Sequence, residues 1–560
     1  MLGTGQEPDT AGEGGEGRIG PSTRGWIGSA RLTALRAHVI SLVLLGVLVA
    51  WTARRTQLFY DDWAIVAALE RGDLSWSWLM APHNEHWILV PKLVYSALFV
   101  TAGAGSAIPY VAVVVILHLA LCHLLWRMAV QGGANPWLAG TAVAGFAVYA
   151  AGIENVMFPM EMLLVGSMAL GVGTLLELHR PRSRWWLVAA LTTVNVMTFS
   201  LAPIFLVLAA TLLLVKRRYR ALAALAPSVV VYLGWVLVQE PSVSGEPRST
   251  VQLLLAPLFW VMGVGNAVSS VVPWRSPADA VMPGLDPVAA LLACGGVVVL
   301  LGFALLAHRR PGHRPGALVT VFMLGTPLVV VVSSISRIEY GLGYAMLSRY
   351  TYVGTAFLLP FALVALTRLA ATSRVARLGG PLVVGGLAVA NVVVWPSVAH
   401  AWVDLTRDTA RTLAAGQEMQ RRGEPLLPEM AKTSTFGFLS PSDLAVLDLR
   451  GVAHDVTERD WLTARLYAQT TLEEVSAAAG ACDRRLASSI EVALPAEDAR
   501  FRLAVPADVT VTVIDGAGTS SQVQPRRLEA GDYRVRSVSS PAVLHVRSRE
   551  GGAVLEVCRD

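Results

Sequence analysis

The chain has 560 residues, of which 54% are hydrophobic and only 15% are charged, and its formal net charge is +5. This composition excludes an ordinary soluble protein and predicts a polytopic α-helical membrane protein. The modest positive charge lies mainly in short loops between apolar segments, which indicates membrane topology and not nucleic-acid binding.

Residues 1–30 are rich in Gly, Glu, Thr and Pro, which predicts a disordered cytoplasmic tail. The first long apolar segment, Leu35 to Trp51, follows three arginines and therefore keeps the N-terminus inside by the positive-inside rule. A cleaved signal peptide is the alternative, but no small-x-small cleavage site follows Trp51. The segment is interpreted as a membrane anchor.

The remaining apolar segments of the membrane domain, residues 31–400, are assigned by length and by loop charge. Together with the first span they predict about eleven crossings, at 108–126, 136–152, 162–178, 185–201, 203–215, 221–238, 287–307, 317–335, 350–368 and 381–398. Two further apolar segments, 88–102 and 253–272, are expected to lie on the outer face or dip into it, because a crossing at 253–272 would place the basic loop 308–316 outside.

After residue 400 the sequence becomes charged and mixed. Residues 401–487 predict helices and loops outside the membrane, and residues 488–560 alternate with period two, which predicts a small extracytoplasmic β domain, most simply a sandwich. Cys482 and Cys558 bracket this region, and an oxidising compartment favours a disulfide between them over two free thiols. The chain is predicted to lie in the plasma membrane as a multi-pass protein with its C-terminus outside.

Two adjacent acids, Asp61 and Asp62, and a His-Asn-Glu-His cluster lie in the first outer loop, residues 53–107. Ionisable groups beside a membrane helix are costly unless they are paired or take part in chemistry. On the predicted topology, acids and bases from three separated loops meet at the outer face, and the candidates are Asp61, Asp62, His83, Glu85, His86, Lys92, Glu154, Glu161, Arg337, Glu339, Tyr340 and Arg349.

Three motifs in this arrangement resemble the GT-C superfamily of polytopic glycosyltransferases. The acidic pair follows the first span directly in "YDDW" (60–63), and "HWILVPKLVY" (86–95) is similar to the family's His-Pro element, although four residues separate its His and Pro. "SRYTY" (348–352) before a late span looks like actinobacterial members of the group. The resemblance covers residues 35–400 and is strongest in the first loop.

The resemblance implies transfer of a sugar from a polyprenyl-phosphate carrier to an envelope glycan, lipid or protein acceptor. It also implies that Asp61 or Asp62 is the general base that takes the acceptor's proton. Consecutive residues on a helix point about 100° apart, so one acid is expected to face the site while the other orients or caps. The alternative is that either acid merely caps a helix running to Arg71.

The other candidates have structural alternatives as well. Arg337 and Arg349 are candidates for binding the carrier phosphate, or they extend to the membrane interface beside their spans. Glu154 and Glu161 contact sugar hydroxyls or pair with an arginine. Lys92 and Glu85 complete the expected substrate-binding set, with Glu339 and Tyr340 from the late loop.

His83 and His86 are three residues apart, a spacing that on a helix puts both imidazoles on one face. A divalent metal held with an aspartate is therefore possible as a cofactor. Hydrogen bonding of the two imidazoles to the acceptor or phosphate is the favoured interpretation, because short His clusters have low specificity for metals.

Two other classes of function remain open at this stage. One is a transporter or flippase of lipid-linked envelope precursors, and the other is a non-catalytic assembly protein with a GT-C-like fold. A transporter is expected to have ionisable groups at mid-membrane and internal repeats, and the sequence has neither feature.

Overall fold

A computed structural model shows a mainly helical chain with paired strands near its C-terminus. It describes residues 21–238, 250–273, 287–309, 315–338, 341–426, 439–449, 451 and 455–475, and the later strands. Side chains are described within residues 31–468 of these ranges, and only the backbone of the strands after residue 469 is described.

Eight described helices are long and apolar enough to cross a membrane, or nine if one bent pair counts as a span. The protein is therefore a multi-pass membrane protein. The eight are Arg31–Ala53, Ile108–Gln131, Pro159–His179, Tyr219–Val238, Pro287–Leu306, Ala317–Ile335, Ser348–Thr372 and Arg374–Arg421.

The first half of the chain contains the first loop and the helices around it. Its helices are α1 (Pro21–Ala53), α2 (Asp61–Glu70), α3 (Trp76–Met80), α4 (Leu89–Ala102), α5 (Ile108–Gln131), α6 (Pro136–Ala147), α7 (Ile153–Met157), α8 (Met162–His179), α9 (Trp185–Val196), α10 (Ala202–Val215) and α11 (Ala226–Val238). α1 begins inside the predicted tail, whose residues 1–20 lie outside the described part of the chain.

The second half contains the remaining membrane helices and the shorter helices that follow them. Its helices are α12 (Thr250–Ser269), α13 (Pro287–Arg309), α14 (Ala317–Met323), α15 (Gly325–Arg337), α16 (Ser348–Thr372), α17 (Arg374–Arg421), α18 (Pro441–Val446) and α19 (Glu458–Gln469). Short 3-10 helices lie at Ala150–Gly152, Pro159–Glu161, Tyr219–Leu225 and Leu342–Met346.

The prediction of eleven crossings is wrong in the region of α9 and α10. These helices have 12 and 14 residues, which at 1.5 Å per residue correspond to about 18 and 21 Å, shorter than the roughly 30 Å hydrocarbon core. The chain turns at residues 197–201, next to the predicted division between the spans 185–201 and 203–215. α4, with 14 residues, is also too short for a full crossing, in keeping with the expectation for segment 88–102. α12 has 20 residues, so the expectation that segment 253–272 does not cross stays a prediction.

The predicted span at 136–152 is instead a bent pair. α6 and the following helical segment Ala150–Met157 meet at 51°. His118 on α5 stabilises the bend, because its Nε2 lies 3.1 Å from the carbonyl oxygen of Ala147, where α6 ends. Its Nδ1 lies 2.7 Å from the hydroxyl of Tyr352 on α16. The bend sets the position of α7, which carries Glu154.

α17 joins the membrane domain to the segment beyond it without interruption. The prediction divided this region into a span at 381–398 and separate helices after 401, but one helix of 48 residues, about 72 Å long, contains both. Trp395 and Trp402 on this helix are almost completely buried. Thr406 accepts a 3.3 Å hydrogen bond from the backbone N–H of Gln57, so α17 holds the start of the first loop.

The strands after residue 469, numbered β1 to β10, are Thr470–Val475, Cys482–Leu486, Ser489–Ala493, Ala499–Leu503, Ala507–Ile514, Ser520–Gln522, Arg526–Leu528, Gly531–Ser537, Val543–Ser548 and Val554–Cys558. They pair into two antiparallel sheets, in the orders β1-β8-β4-β10-β2 and β3-β9-β5-β6, with β7 also paired to β5.

The backbone register places Cys558 opposite Cys482 on neighbouring strands. Because their side chains lie outside the described residues, the disulfide and a packed extracytoplasmic β domain both stay predictions.

Candidate functional site

The start of α2 separates the two adjacent acids. Asp62 is completely buried. Its Oδ2 accepts a 2.8 Å hydrogen bond from the backbone N–H of Phe59, and its Oδ1 accepts a short hydrogen bond from the hydroxyl of Tyr95 on α4. Burial raises the pKa of Asp62 well above its ordinary value, against the opposing effect of these hydrogen bonds. Asp62 therefore anchors the beginning of α2.

Asp61 points elsewhere and is partly accessible, with 13% of its side chain exposed. Asn84 Nδ2 donates a 3.3 Å hydrogen bond to Asp61 Oδ2, and His83 Nε2 lies 3.9 Å from the same oxygen. Asp61 Oδ1 is buried and accepts no hydrogen bond from any described residue. The two carboxylates therefore point in different directions, as helical geometry predicts, and the assignment of Asp61 as the base stays a prediction.

The His-Asn-Glu-His cluster forms a tight turn. His83 and His86 exchange two backbone hydrogen bonds of 2.9 Å, and the intervening Asn84 and Glu85 have φ values of 46° and 70°. Two successive positive φ angles are typical of a type I′ turn. The expectation that both imidazoles share a helix face is therefore wrong, because these residues are not helical. Among the described residues no three His, Cys, Asp or Glu side chains form a group suited to a metal.

His86 lies where the first loop meets the membrane helices. Its Nδ1 is 2.9 Å from Ser200 Oγ, and its ring meets Phe199 edge-on. Burial, followed by the charges of Arg337, His83 and Arg349, lowers the pKa of His86 to about 4. The imidazole is therefore neutral at pH 7 and acts as a hydrogen-bonding group.

Arg349, at the start of α16, binds the two predicted glutamates. Its Nη2 lies 2.5 Å from Glu154 Oε1 on α7, and its Nε lies 4.0 Å from Glu161 Oε1, immediately before α8. Of the two alternatives for Glu154 and Glu161, pairing with an arginine is the one observed. The interfacial alternative for Arg349 does not describe this geometry, because its guanidinium is directed to these carboxylates.

Several polar atoms around Arg349 lack hydrogen-bond partners within the described part of the chain. They are Arg349 Nε, Glu161 Oε2, Ser348 Oγ and both amide atoms of Asn155. Buried polar groups are nearly always hydrogen-bonded, so such a concentration indicates room for a polar ligand or water. Asp61 Oδ1 belongs to the same set, since the charge of Asp61 acts on Glu161.

The structure brings most of the candidates from the three loops together. Arg337 and Arg349 both lie close enough to His86 to interact electrostatically with its imidazole. Glu85 and Tyr350 interact in the same way with the guanidinium of Arg337. We call the assembled group the charged site, and its members are Asp61, His83, Glu85, His86, Glu154, Glu161, Arg337 and Arg349. Asp62 is not a member, because its carboxylate is bound to Phe59 and Tyr95 and holds the beginning of α2 in place. Glu339 and Tyr340 lie outside the described residues.

Lys92 is placed differently from the expectation that it binds substrate. It is buried, and its ammonium donates hydrogen bonds of 2.6 and 2.8 Å to the carbonyl oxygens of Trp78 and Ala81. Burial lowers the pKa of Lys92 to about 8. These contacts tie α3 to α4 and favour a structural role.

The sequence assigned no role to several polar residues in or beside the charged site. Asn84 belonged to the cluster that was singled out, but no role was assigned to it. Tyr95 and Ser348 lie within the motifs at 86–95 and 348–352, but no role was assigned to either residue, and no local pattern marks Asn155 or Ser200. Their importance depends on contacts between distant segments.

A separate cleft of about 470 Å³ lies between the start of α6 and the junction of α16 and α17. Its lining includes Asn135, Trp137, Thr367 and Arg377, and it contains no member of the charged site. It therefore has no part in the chemistry considered below.

No protein-family model matches the chain, and no curated protein matches it. Among solved structures the chain is similar to ArnT from Cupriavidus metallidurans bound to undecaprenyl phosphate, at 15% identity and a TM-score of 0.44, covering 72% of this chain and 84% of that one. The apo state of the same protein gives 16% identity and a TM-score of 0.42, with 76% and 85% covered. Likeness at this level carries no functional argument, so function is argued from the charged site.

Proposed function

We propose that this chain is a membrane glycosyltransferase of GT-C type that moves a sugar from a polyprenyl-phosphate carrier to an acceptor of an actinobacterial-type cell envelope. The reaction takes place at the outer face, with the N-terminus inside and the C-terminus outside. The observation that carries the proposal is the partly exposed Asp61, whose Oδ1 accepts no hydrogen bond from the described residues, beside the half-buried Arg349 and its two buried glutamates.

The proposed step is a displacement at the anomeric carbon of the sugar. The Asp61 carboxylate takes the proton of an acceptor hydroxyl, and the acceptor oxygen bonds to the anomeric carbon as the bond from that carbon to the phosphate oxygen breaks. The polyprenyl phosphate leaves with the bonding electrons. Asn84 holds Asp61 Oδ2, which leaves Oδ1 to receive the proton.

Negative charge on the departing phosphate requires cations nearby. Arg337 and Arg349 are the proposed ligands of this phosphate because guanidinium pairs bidentately with phosphate oxygens. The bonds from Arg349 to Glu154 and Glu161 hold its guanidinium in one orientation. Neutral His86 adds a hydrogen-bonding group without repelling the neighbouring arginines.

The placement of the charges favours a transferase over a transporter. Glu161 and Arg349 lie at the first residues of the candidate spans Pro159–His179 and Ser348–Thr372, and Asp61 follows the span that ends at Ala53. A transporter site is expected near the bilayer midplane, at a repeat interface. Charges at the ends of spans are instead suited to a reaction at the membrane surface.

The test compares Asp61→Asn with Asp62→Asn in the purified, reconstituted protein, with transfer of labelled sugar from a polyprenyl-phosphate donor as the measurement. Asp61→Asn keeps the size of the side chain but removes the base, so we expect transfer to fall by about 10²-fold or more. Asp62→Asn is the matched control. Its single amide oxygen cannot accept from both the N–H of Phe59 and the hydroxyl of Tyr95, so it should lower the yield of folded protein more than the rate per folded molecule.

Full transfer by Asp61→Asn overturns the assignment of the base. Absence of sugar transfer by the wild-type protein from any polyprenyl-phosphate donor, combined with movement of lipid-linked precursors across vesicles, establishes transport instead.

A further inference from the structure

We infer that two adjoining basic loops, residues 180–184 and 216–220, form a binding site for the headgroups of anionic phospholipids. We call this surface the basic patch. It lies at the end of α8 opposite to the charged site, where α8 ends, α9 begins and α10 ends. The inference does not depend on the proposed transfer reaction.

Direct hydrogen bonds hold the two loops together. Arg218 Nη1 donates to the carbonyl oxygens of Arg180 and Leu178, at 2.9 and 3.3 Å. Lys216 Nζ lies 2.8 Å from His179 Nδ1 and donates to the carbonyl oxygen of His179 at 3.2 Å. The cations of both loops therefore belong to one surface.

The basic patch carries far more positive than negative charge. Between residues 177 and 220 there is one carboxylate, Glu177, and it is bound by Arg180 and Arg184. Three of its arginines, Arg182, Arg217 and Arg220, are exposed. No described residue accepts a hydrogen bond from them or forms an ion pair with them. The seven cations of the surface are Arg180, Arg182, Arg184, Lys216, Arg217, Arg218 and Arg220.

Aromatic side chains place the basic patch at the depth of lipid headgroups. Trp185, Trp186 and Tyr219 directly follow the basic residues, and 42%, 69% and 61% of their surfaces are exposed. Exposed Trp and Tyr at the ends of membrane helices are typical of the headgroup region. Three uncommitted guanidinium groups at this depth match the phosphates of anionic lipids in charge and in hydrogen-bonding geometry.

The test measures binding of phosphatidylglycerol and phosphatidylcholine to the full-length protein in neutral detergent by native mass spectrometry. The variant combines Arg182→Gln, Arg217→Asn and Arg220→Gln, in which Asn is chosen because residue 217 has a φ of 55°. The matched control removes three exposed arginines from other places, as Arg31→Gln, Arg36→Gln and Arg374→Gln.

We expect wild type and control to prefer phosphatidylglycerol by at least about tenfold, and the patch variant to lose most of that preference. A second variant with Lys at all three patch positions should keep most of it, which separates loss of charge from misfolding. Equal losses in the patch variant and the matched control overturn the inference, because they show a response to total charge. An undiminished preference in the patch variant also overturns it.

Discussion

The two ends of α8 each carry a glutamate bound to arginine, but the two clusters differ in how completely their hydrogen bonds are made. At the far end, Glu177 Oε1 accepts from the N–H and Nε of Arg184, both at 3.0 Å, and Oε2 accepts from Arg184 Nη2 and pairs with Arg180. At the near end, Glu161 Oε2 and Arg349 Nε make no hydrogen bond with any described residue.

This difference separates a structural ion pair from a candidate site. A carboxylate whose lone pairs are all used has no capacity left for a ligand, whereas unmet hydrogen-bonding groups in a buried place favour binding of a polar molecule. The Glu177 cluster therefore holds the loop between α8 and α9 in place. The cluster around Arg349 keeps unmet polar groups, which supports our proposal that it binds the substrate.

The largest expected effect is from Arg349→Ala, which removes the cation of the near cluster. We expect sugar transfer to fall by about 10²-fold or more because the charge on the leaving phosphate loses its partner. The matched variant Arg184→Ala at the far end should leave the rate per folded molecule within about twofold. Single-turnover transfer by the two reconstituted proteins checks this prediction.

Because Arg349→Ala leaves Glu154 and Glu161 without their partner, Arg349→Lys provides a second measurement at the same position. It keeps the charge but loses the bidentate fork, so partial activity is expected. Equal rates for Arg349→Ala and Arg184→Ala contradict the distinction between the two clusters.

An intermediate effect is expected from pH, through His86 near the charged site. The folded state lowers the pKa of His86 to about 4, so the unfolded chain binds more protons between that value and about 6.5. Stability from this group is therefore fully present above pH 6.5 and is lost as pH falls toward 4.

Melting temperatures of wild type and His86→Gln across this range check the prediction. The wild-type melting temperature should fall more steeply than that of the variant, by a few degrees. Parallel curves contradict it. His83→Gln is the comparison for a general effect of imidazole loss in the same turn.

The smallest effect is expected from Glu177→Gln at the far end. Its partners Arg180 and Arg184 are 44% and 51% exposed, so solvent screens the pairs and the loss of stability should be about 1 kcal/mol. The melting temperature should fall by about 1 °C in a chain of 560 residues, with transfer per folded molecule unchanged. A loss of transfer comparable to that of Arg349→Ala would show that the two ends act as one system.

The sequence predicted several elements near the first loop well. The apolar segment from Leu35 to Trp51 lies in α1, and the helix expected to run from the acidic pair toward Arg71 is α2. The separation of Asp61 from Asp62 followed from helical geometry alone. The sequence was less successful in counting α9 and α10 as crossings. It placed the division between them near residue 202, but the turn at 197–201 leaves two helices that are too short to cross.

The sequence by itself determined that the chain is a membrane protein, because burial of its apolar segments depends on composition and length. It also determined which ionisable residues lie beside spans. Only the tertiary structure decided which acid is buried, that Arg349 joins Glu154 and Glu161, and that His83 and His86 meet across a turn. These features arise from contacts between segments up to about two hundred residues apart, as in the separation of 195 between Arg349 and Glu154, and local sequence patterns do not encode such contacts.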